Sequence, residues 1–308
     1  MRPNTRTILA GLLVGGALIA AAVIRQPDGD STSTDLPRGP YVALGDSYTA
    51  GPGIPEETGS PAGCDRSDHN YPALVAHRLG LKAGDFRDVS CSGATIADLG
   101  QRQATDEGTN PAQFSALSGQ TRLVTLGIGG NDIGFGSMIK RCVGAGMLYK
   151  ALGGGKYVPE DAPCERQYVS HGTDEVREKI DTAGVRLARS LDEIGRRAPK
   201  ARVYVVSYPE ILPSNGGDCL RTMSLAPGDV VFLHEKERQL NNELRKRAEA
   251  GGAEYVDAFT PSQGRGACAA EGVRWIEPLE PVAPAAPVHP NARGERGMAD
   301  AVLQAFEK

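Results

Sequence analysis

The chain is poor in net charge, in aromatic residues and in metal-binding patterns. Its 34 Lys+Arg stand against 38 Asp+Glu, a formal net charge of -4, and phosphate backbones are gripped by clustered Lys and Arg. Nucleic acid is therefore not expected as a partner. No C-x-x-C spacing occurs, and no histidine sits at ligand spacing from a cysteine, so neither a metal nor another cofactor is expected. There is no Gly-X-Y period and no internal repeat, which excludes collagen and solenoids. Apart from one amino-terminal stretch, no run is long and apolar enough to span a bilayer.

That stretch runs from Ile8 to Ile24, with Arg2 and Arg6 before it and Arg25 after it. Ala20-Ala21-Ala22 supplies small residues at a cleavage position, while Val23-Ile24 carries apolar character past it. Residues 1–25 accordingly read as a signal peptide or as an uncleaved membrane anchor. Both place the rest of the chain outside the cytoplasmic membrane, either secreted or held at its outer face. No cysteine follows the run to accept a lipid. Residues 26–39 are rich in Pro, Gly, Ser and Thr and read as a flexible linker. Residues 40–308 then form one domain, with 40% hydrophobic and 23% charged residues in the whole chain, a globular composition.

Six cysteines in an exported chain point to disulfides. Pairing of sequence neighbours, Cys64–Cys91, Cys142–Cys164 and Cys219–Cys268, closes three loops that do not overlap and is the expected arrangement. Free buried thiols are the alternative.

Four apolar runs read as strands: Tyr41–Leu44, Leu123–Ile128, Val203–Val206 and Tyr255–Phe259. They lack strict alternation, as strands covered on both faces do. Helical patterns separate them. Val176, Ile180, Ala183, Leu187, Leu191 and Ile194 draw one stripe on a helix, with Thr173 as the expected capping hydroxyl. A second helix is expected over about 230–250, ending at Gly251-Gly252, and a third after Asn291. Strands alternating with helices imply an α/β fold with a parallel, right-handed doubly wound sheet. Its ligands sit beyond the carboxyl ends of the strands. Residues 133–170 are glycine-rich, lack clear periodicity and read as a disulfide-tied excursion near the site.

Four segments at those strand ends carry candidate chemistry. Ser47 follows Gly45-Asp46, Gly93 follows the apolar stub at Val89, Asn131 follows Gly129-Gly130, and His289 precedes Pro290-Asn291 and the last helix. Each alone is commonplace, since turns favour such residues. Of the 5 histidines, His289 stands in a loop restrained by proline, and a serine needs an adjacent base to act as nucleophile.

Together these segments resemble the SGNH (GDSL-type) serine esterases and lipases, whose signature residues appear here in order as Ser47, Gly93, Asn131 and His289. The resemblance is nearest to the secreted actinobacterial lipases, whose three-disulfide pattern agrees with neighbour pairing. It implies a flavodoxin-like three-layer α/β/α sandwich, the SGNH hydrolase fold. It also implies a carboxylic-ester hydrolase in which Ser47 attacks the ester carbonyl and His289 shuttles the proton. The amides of Ser47, Gly93 and Asn131 then hold the oxyanion. The implied substrate is a small-molecule acyl ester or lipid, and the chain is expected to act as a monomer. Phospholipase A and carbohydrate O-deacetylase share the same apparatus, and a non-catalytic envelope binding protein is the alternative outside the enzymes.

Two departures from the family pattern stand out. Tyr48 replaces leucine after the serine. Ala286 occupies the position three residues before the histidine, where many members carry aspartate. The expectation is a Ser47–His289 dyad oriented by a main-chain carbonyl at Ala286, with Glu277, Glu280 and Asp300 as the alternative carboxylates. Asp46 and Asp132 are expected to shape loops rather than to transfer protons. Trp275 is expected in the core.

Overall fold

Tyr41–Gly45, Phe86–Asp88, Leu123–Gly127, Arg202–Val206 and Glu254–Val256 form one five-stranded sheet, in which every pair is parallel. Counted along the chain, the strands lie across the sheet in the order second, first, third, fourth, fifth. This is the doubly wound, flavodoxin-like order, and its switch point falls between the first and third strands. The computed structural model describes residues 39–58, 63–154, 161–216 and 218–307. The signal or anchor segment and all but the last residue of the linker lie outside them. Among the described residues, no helix is long and apolar enough to cross a membrane.

Alternate side chains of each strand enter different cores. Val42, Leu44, Val124 and Leu126 pack on one face with Ile180, Leu187, Leu240 and Leu244. Tyr41, Ala43, Leu123 and Tyr204 pack on the other with Met298, Val302 and Phe306. Both faces are covered, so these strands read as continuous apolar runs, and the result is a three-layer α/β/α sandwich.

All six members of the apolar stripe on Glu175–Arg197 are buried. The cap differs from expectation. Asp174 accepts from the Arg177 amide, while Thr173 lies in a short two-stranded ladder. A carboxylate placed at Ncap both fills an orphan donor and faces the positive end of the helix dipole. Two further long helices are Pro227–Ala250 and Ala292–Phe306, the latter capped by the Asn291 side chain on the amides of Arg293 and Gly294. Trp275 is buried against the last helix, where a Cβ on Gly297 would meet its ring at 2.2 Å.

The stretch expected to lack periodicity contains a 17-residue helix, Phe135–Ala151. Gly136, Gly144 and Gly146 dilute its pattern, because glycine is a poor helix former. Gly146 is there for packing: a Cβ on it would lie 2.0 Å from the Ser224 carbonyl oxygen. The disulfides are Cys64–Cys91, Cys142–Cys164 and Cys219–Cys268.

Candidate active site

The first and third strands end side by side, with Gly45 opposite Gly127. A Cβ on either glycine would run into the Thr49 hydroxyl, at 2.2 Å and 2.7 Å respectively. The missing side chains let the Ser47–Ala50 helical turn sit directly on the strand ends. Asp46 caps that turn, its Oδ1 accepting the Tyr48 amide at 3.0 Å. Its Oδ2 accepts the Tyr208 hydroxyl, which in turn accepts the Gly130 amide at 2.7 Å. The buried Asp46–Tyr208 link therefore ties the serine turn to the Gly129–Asp132 loop. Burial raises the Asp46 carboxyl to about 7, against its hydrogen bonds from Tyr208 and Tyr48.

The Gly129–Asp132 loop is also fastened to the Gly93 loop. Asn131 Nδ2 donates to the Ala94 carbonyl at 2.9 Å, and Asp132 Oδ2 accepts the Ile96 amide at 2.9 Å. Both aspartates thus shape loops, as the sequence suggests. Gly93 has φ of 76°, a left-handed conformation that glycine adopts without a side-chain penalty. Among the described residues, no carbonyl takes the amides of Ser47 or Gly93, and Asn131 Nδ2 keeps one N–H beyond its bond to Ala94.

His289 arrives from the far end of the chain. Its Nε2 lies 2.8 Å from Ser47 Oγ. Its Nδ1 lies 2.8 Å from the Pro287 carbonyl oxygen, and this corrects the expectation of Ala286. The Ala286 carbonyl is already taken by the His289 backbone amide at 3.2 Å. The turn that makes that bond swings the ring toward the next carbonyl along. Val288, between them, has φ of 61°, which is strained for a β-branched residue. A neutral Nδ1–H bonded to a carbonyl leaves the Nε2 lone pair facing the serine, the tautomer a general base requires. Burial lowers the imidazole from its ordinary 6.5, against the pull of the Pro287 carbonyl and the Asp65 carboxylate.

None of the three carboxylates weighed as an orienting group is hydrogen-bonded to His289. Asp300 pairs with Arg78 at the surface. Glu277 is buried and holds the histidine loop from beneath. Its Oε1 accepts Asn291 Nδ2 at 2.7 Å, and its Oε2 accepts the amides of Val282 and Ala283 at 2.9 and 3.2 Å. Burial pushes this carboxyl up, but those donors and Arg274 outweigh it and leave it lowered.

Three contacts hold the histidine loop on the serine turn. The Ala286 amide donates to the Pro52 carbonyl at 2.8 Å. Gly53, at φ of 78°, lies so close that a Cβ would meet the Ala285 and Ala286 backbone at 2.7 Å. Tyr48 Oη donates to the Val288 carbonyl at 2.6 Å, and its ring lies 5.0 Å from the imidazole. Sequence reasoning treated Tyr48 only as a mild departure and overlooked Tyr208. A tyrosine beside the serine and a Tyr-Pro closing a buried strand were the available signals.

The four signature residues line one cleft of 470 Å³, a size typical of small-molecule sites. Phe135, Ile139, Ile211, Leu240, Leu279 and Val288 supply its apolar walls. Among the described residues, no group of three or more His, Cys, Asp or Glu side chains could hold a metal ion.

Comparison with known proteins agrees with this geometry. The model of the GDSL-like lipase/acylhydrolase family matches residues 43–296. Lipase 2 of Streptomyces coelicolor is 37% identical over 307 residues, covering 99% of this chain and 98% of its own. Two crystal structures superpose at 28% identity. One is phospholipase A1 from Streptomyces albidoflavus NA297, with a TM-score of 0.67 over 87% of this chain and 98% of that one. The other is the extracellular lipase of Streptomyces rimosus, with a TM-score of 0.68 over 86% and 98%. With its sheet order, its cleft and these relatives, the chain belongs to the GDSL-like lipase/acylhydrolase family of carboxylic-ester hydrolases.

Proposed function

We propose that this hydrolase acts outside the cytoplasmic membrane on acyl-lipid esters, through a Ser47–His289 dyad and a covalent acyl-enzyme. The observation that carries the proposal is the 2.8 Å approach of Ser47 Oγ to His289 Nε2, in a cleft that Gly93 and Asn131 also line. Ser47 Oγ attacks the ester carbonyl carbon while Nε2 takes its proton. The carbonyl oxygen becomes an oxyanion facing the amides of Ser47, Gly93 and Asn131. Losing one such donor typically costs about 10²–10³ in rate. Collapse expels the alcohol, which receives the proton from Nε2, and leaves an ester on Ser47. Water then attacks this ester with His289 again as base, releasing the acid and the free serine. The Pro287 carbonyl orients the ring and stabilises imidazolium less than a carboxylate would.

The apolar walls favour a fatty acyl chain over an acetyl group. Export is supported by the amino-terminal sequence pattern and by the three disulfides. Hydrolysis of a phospholipid acyl ester is the second reading, favoured by the similarity to a phospholipase A1. A panel of nitrophenyl esters of increasing acyl length tests the proposal, with Ser47→Ala alongside and a fluorophosphonate label. Cleavage that falls by about four decades in Ser47→Ala supports it. A wild type that cleaves none of the esters and takes no label sinks it.

A further inference from the structure

The helix Phe135–Ala151 does two things at once. Its first turns supply Phe135, Gly136, Ser137, Ile139 and Lys140 to the cleft. Its far end exposes large apolar side chains that a soluble surface seldom shows together: Met147 is 55% exposed and Leu148 61%, and Leu152, just beyond the helix, is 43% exposed. These belong to one face. Gly136, Lys140, Gly144 and Met147 follow one another at helical spacing along a single row, and Ser137, Arg141, Leu148 and Leu152 form the adjacent row. Every one of these eight residues is exposed. The two rows thus lead from the mouth of the cleft to the apolar end without crossing the buried side. Gly144 adds no bulk between them.

The charge of the helix is one-sided. Lys140, Arg141 and Lys150 are its charged residues, and it contains no Asp or Glu, although acidic residues outnumber basic ones in the whole chain. Apolar side chains flanked by cations on one helix face suit an interface of acyl chains under anionic headgroups.

We infer that the exposed face of Phe135–Ala151, extended by Leu152, docks the protein on an anionic lipid surface, so that the cleft opens toward the acyl chains it is to receive. The inference rests on the acyl-lipid reading above for its purpose, although its test reads binding alone. Met147, Leu148 and Leu152 enter the headgroup region, where apolar burial holds them. The cations add attraction that salt screens.

Co-sedimentation with vesicles tests this, using residues 26–308 carrying Ser47→Ala, so that the amino-terminal apolar segment adds no membrane affinity of its own and no lipid is consumed. Vesicles of phosphatidylcholine are compared with vesicles containing about a third phosphatidylglycerol, the probe for negative surface charge. Binding is expected to the anionic vesicles and to weaken with salt. Met147→Ser/Leu148→Ser should lower it by about tenfold or more, and Arg141→Gln/Lys150→Gln by about tenfold. Val185→Ser, at an apolar site 44% exposed on another helix, should leave it unchanged. The same surface pairs made in the Ser47 protein should turn over a short soluble ester as the wild type does, which shows that the fold and cleft persist. The inference is overturned if the wild-type surface does not bind anionic vesicles, or if both pairs bind as it does. It is also overturned if Val185→Ser weakens binding as much as they do. Should one pair fail to fold, the other decides alone. Vesicle binding by a protein that cleaves no ester would defeat the proposed reaction and leave the surface standing.

Discussion

Tyr48→Phe removes one oxygen atom from the junction between the serine turn and the histidine loop. In the wild type that oxygen donates to the Val288 carbonyl at 2.6 Å, immediately before His289 and at a residue held at φ of 61°. A left-handed β-branched residue costs about 1–3 kcal/mol, which its surroundings must over-determine. A neutral hydrogen bond contributes about 0.5–1.5 kcal/mol net. Its loss therefore offsets a good part of what keeps Val288 strained, and the imidazole drifts from its 2.8 Å approach to the serine. Each 1.4 kcal/mol is about a factor of ten in rate, so kcat on a soluble nitrophenyl ester should fall by about tenfold. KM should hold, because the ring remains in place beside the imidazole and Tyr208. Tyr48→Leu, which restores the usual family residue but removes the ring as well, should be slower still. The melting temperature of Tyr48→Phe should drop by only about 2–4 °C. Wild-type kcat in Tyr48→Phe refutes the argument. So does a rise in KM with kcat unchanged, since that would make Tyr48 a substrate contact instead of a brace for the base.

Three further outcomes are expected. Because His289 acts as a neutral base and burial lowers its proton affinity, the acid limb of kcat/KM should have its midpoint below 6.5; a midpoint above 6.5 would show that a carboxylate faces the ring. Asp46 titrates at about 7 instead of its ordinary 3.8, so the stability it confers is complete below about pH 4 and is lost as pH rises through 7. The stability of the wild type relative to Asp46→Asn should thus decline by on the order of 4 kcal/mol between pH 4 and pH 8, and a flat difference in denaturant titrations would sink the assignment. Glu280→Gln and Asp300→Asn should turn over at wild-type rates. Glu277→Gln should lose stability, by about 1–3 kcal/mol for a disturbed buried network, without moving the acid limb. A loss of several decades in any of the three would defeat the dyad.

Burial decided what could be read from the sequence. The central strands and the stripe from Val176 to Ile194 announce themselves because apolar residues recur wherever a face is covered. Ser47, Gly93, Asn131 and His289 stand out because each follows a strand end or precedes a helix, where a parallel sheet presents its loops. What stayed hidden depends on which loop meets which in space. The helix Phe135–Ala151 is masked by glycines whose reason is a neighbour: Gly146 faces Ser224, far along the chain. The orienting carbonyl is Pro287 and not Ala286 because Val288 takes a left-handed conformation that its side chain disfavours, and local propensity predicts the opposite. That geometry is imposed from outside the turn: Glu277 exchanges main-chain hydrogen bonds with Val288 and His289 at 3.0 Å each, and Pro52, Gly53 and Tyr48, from the other end of the domain, touch the histidine loop chiefly through its main chain. Main-chain contacts leave little trace in residue types, so the reacting side chains were legible while the brace that joins them was not.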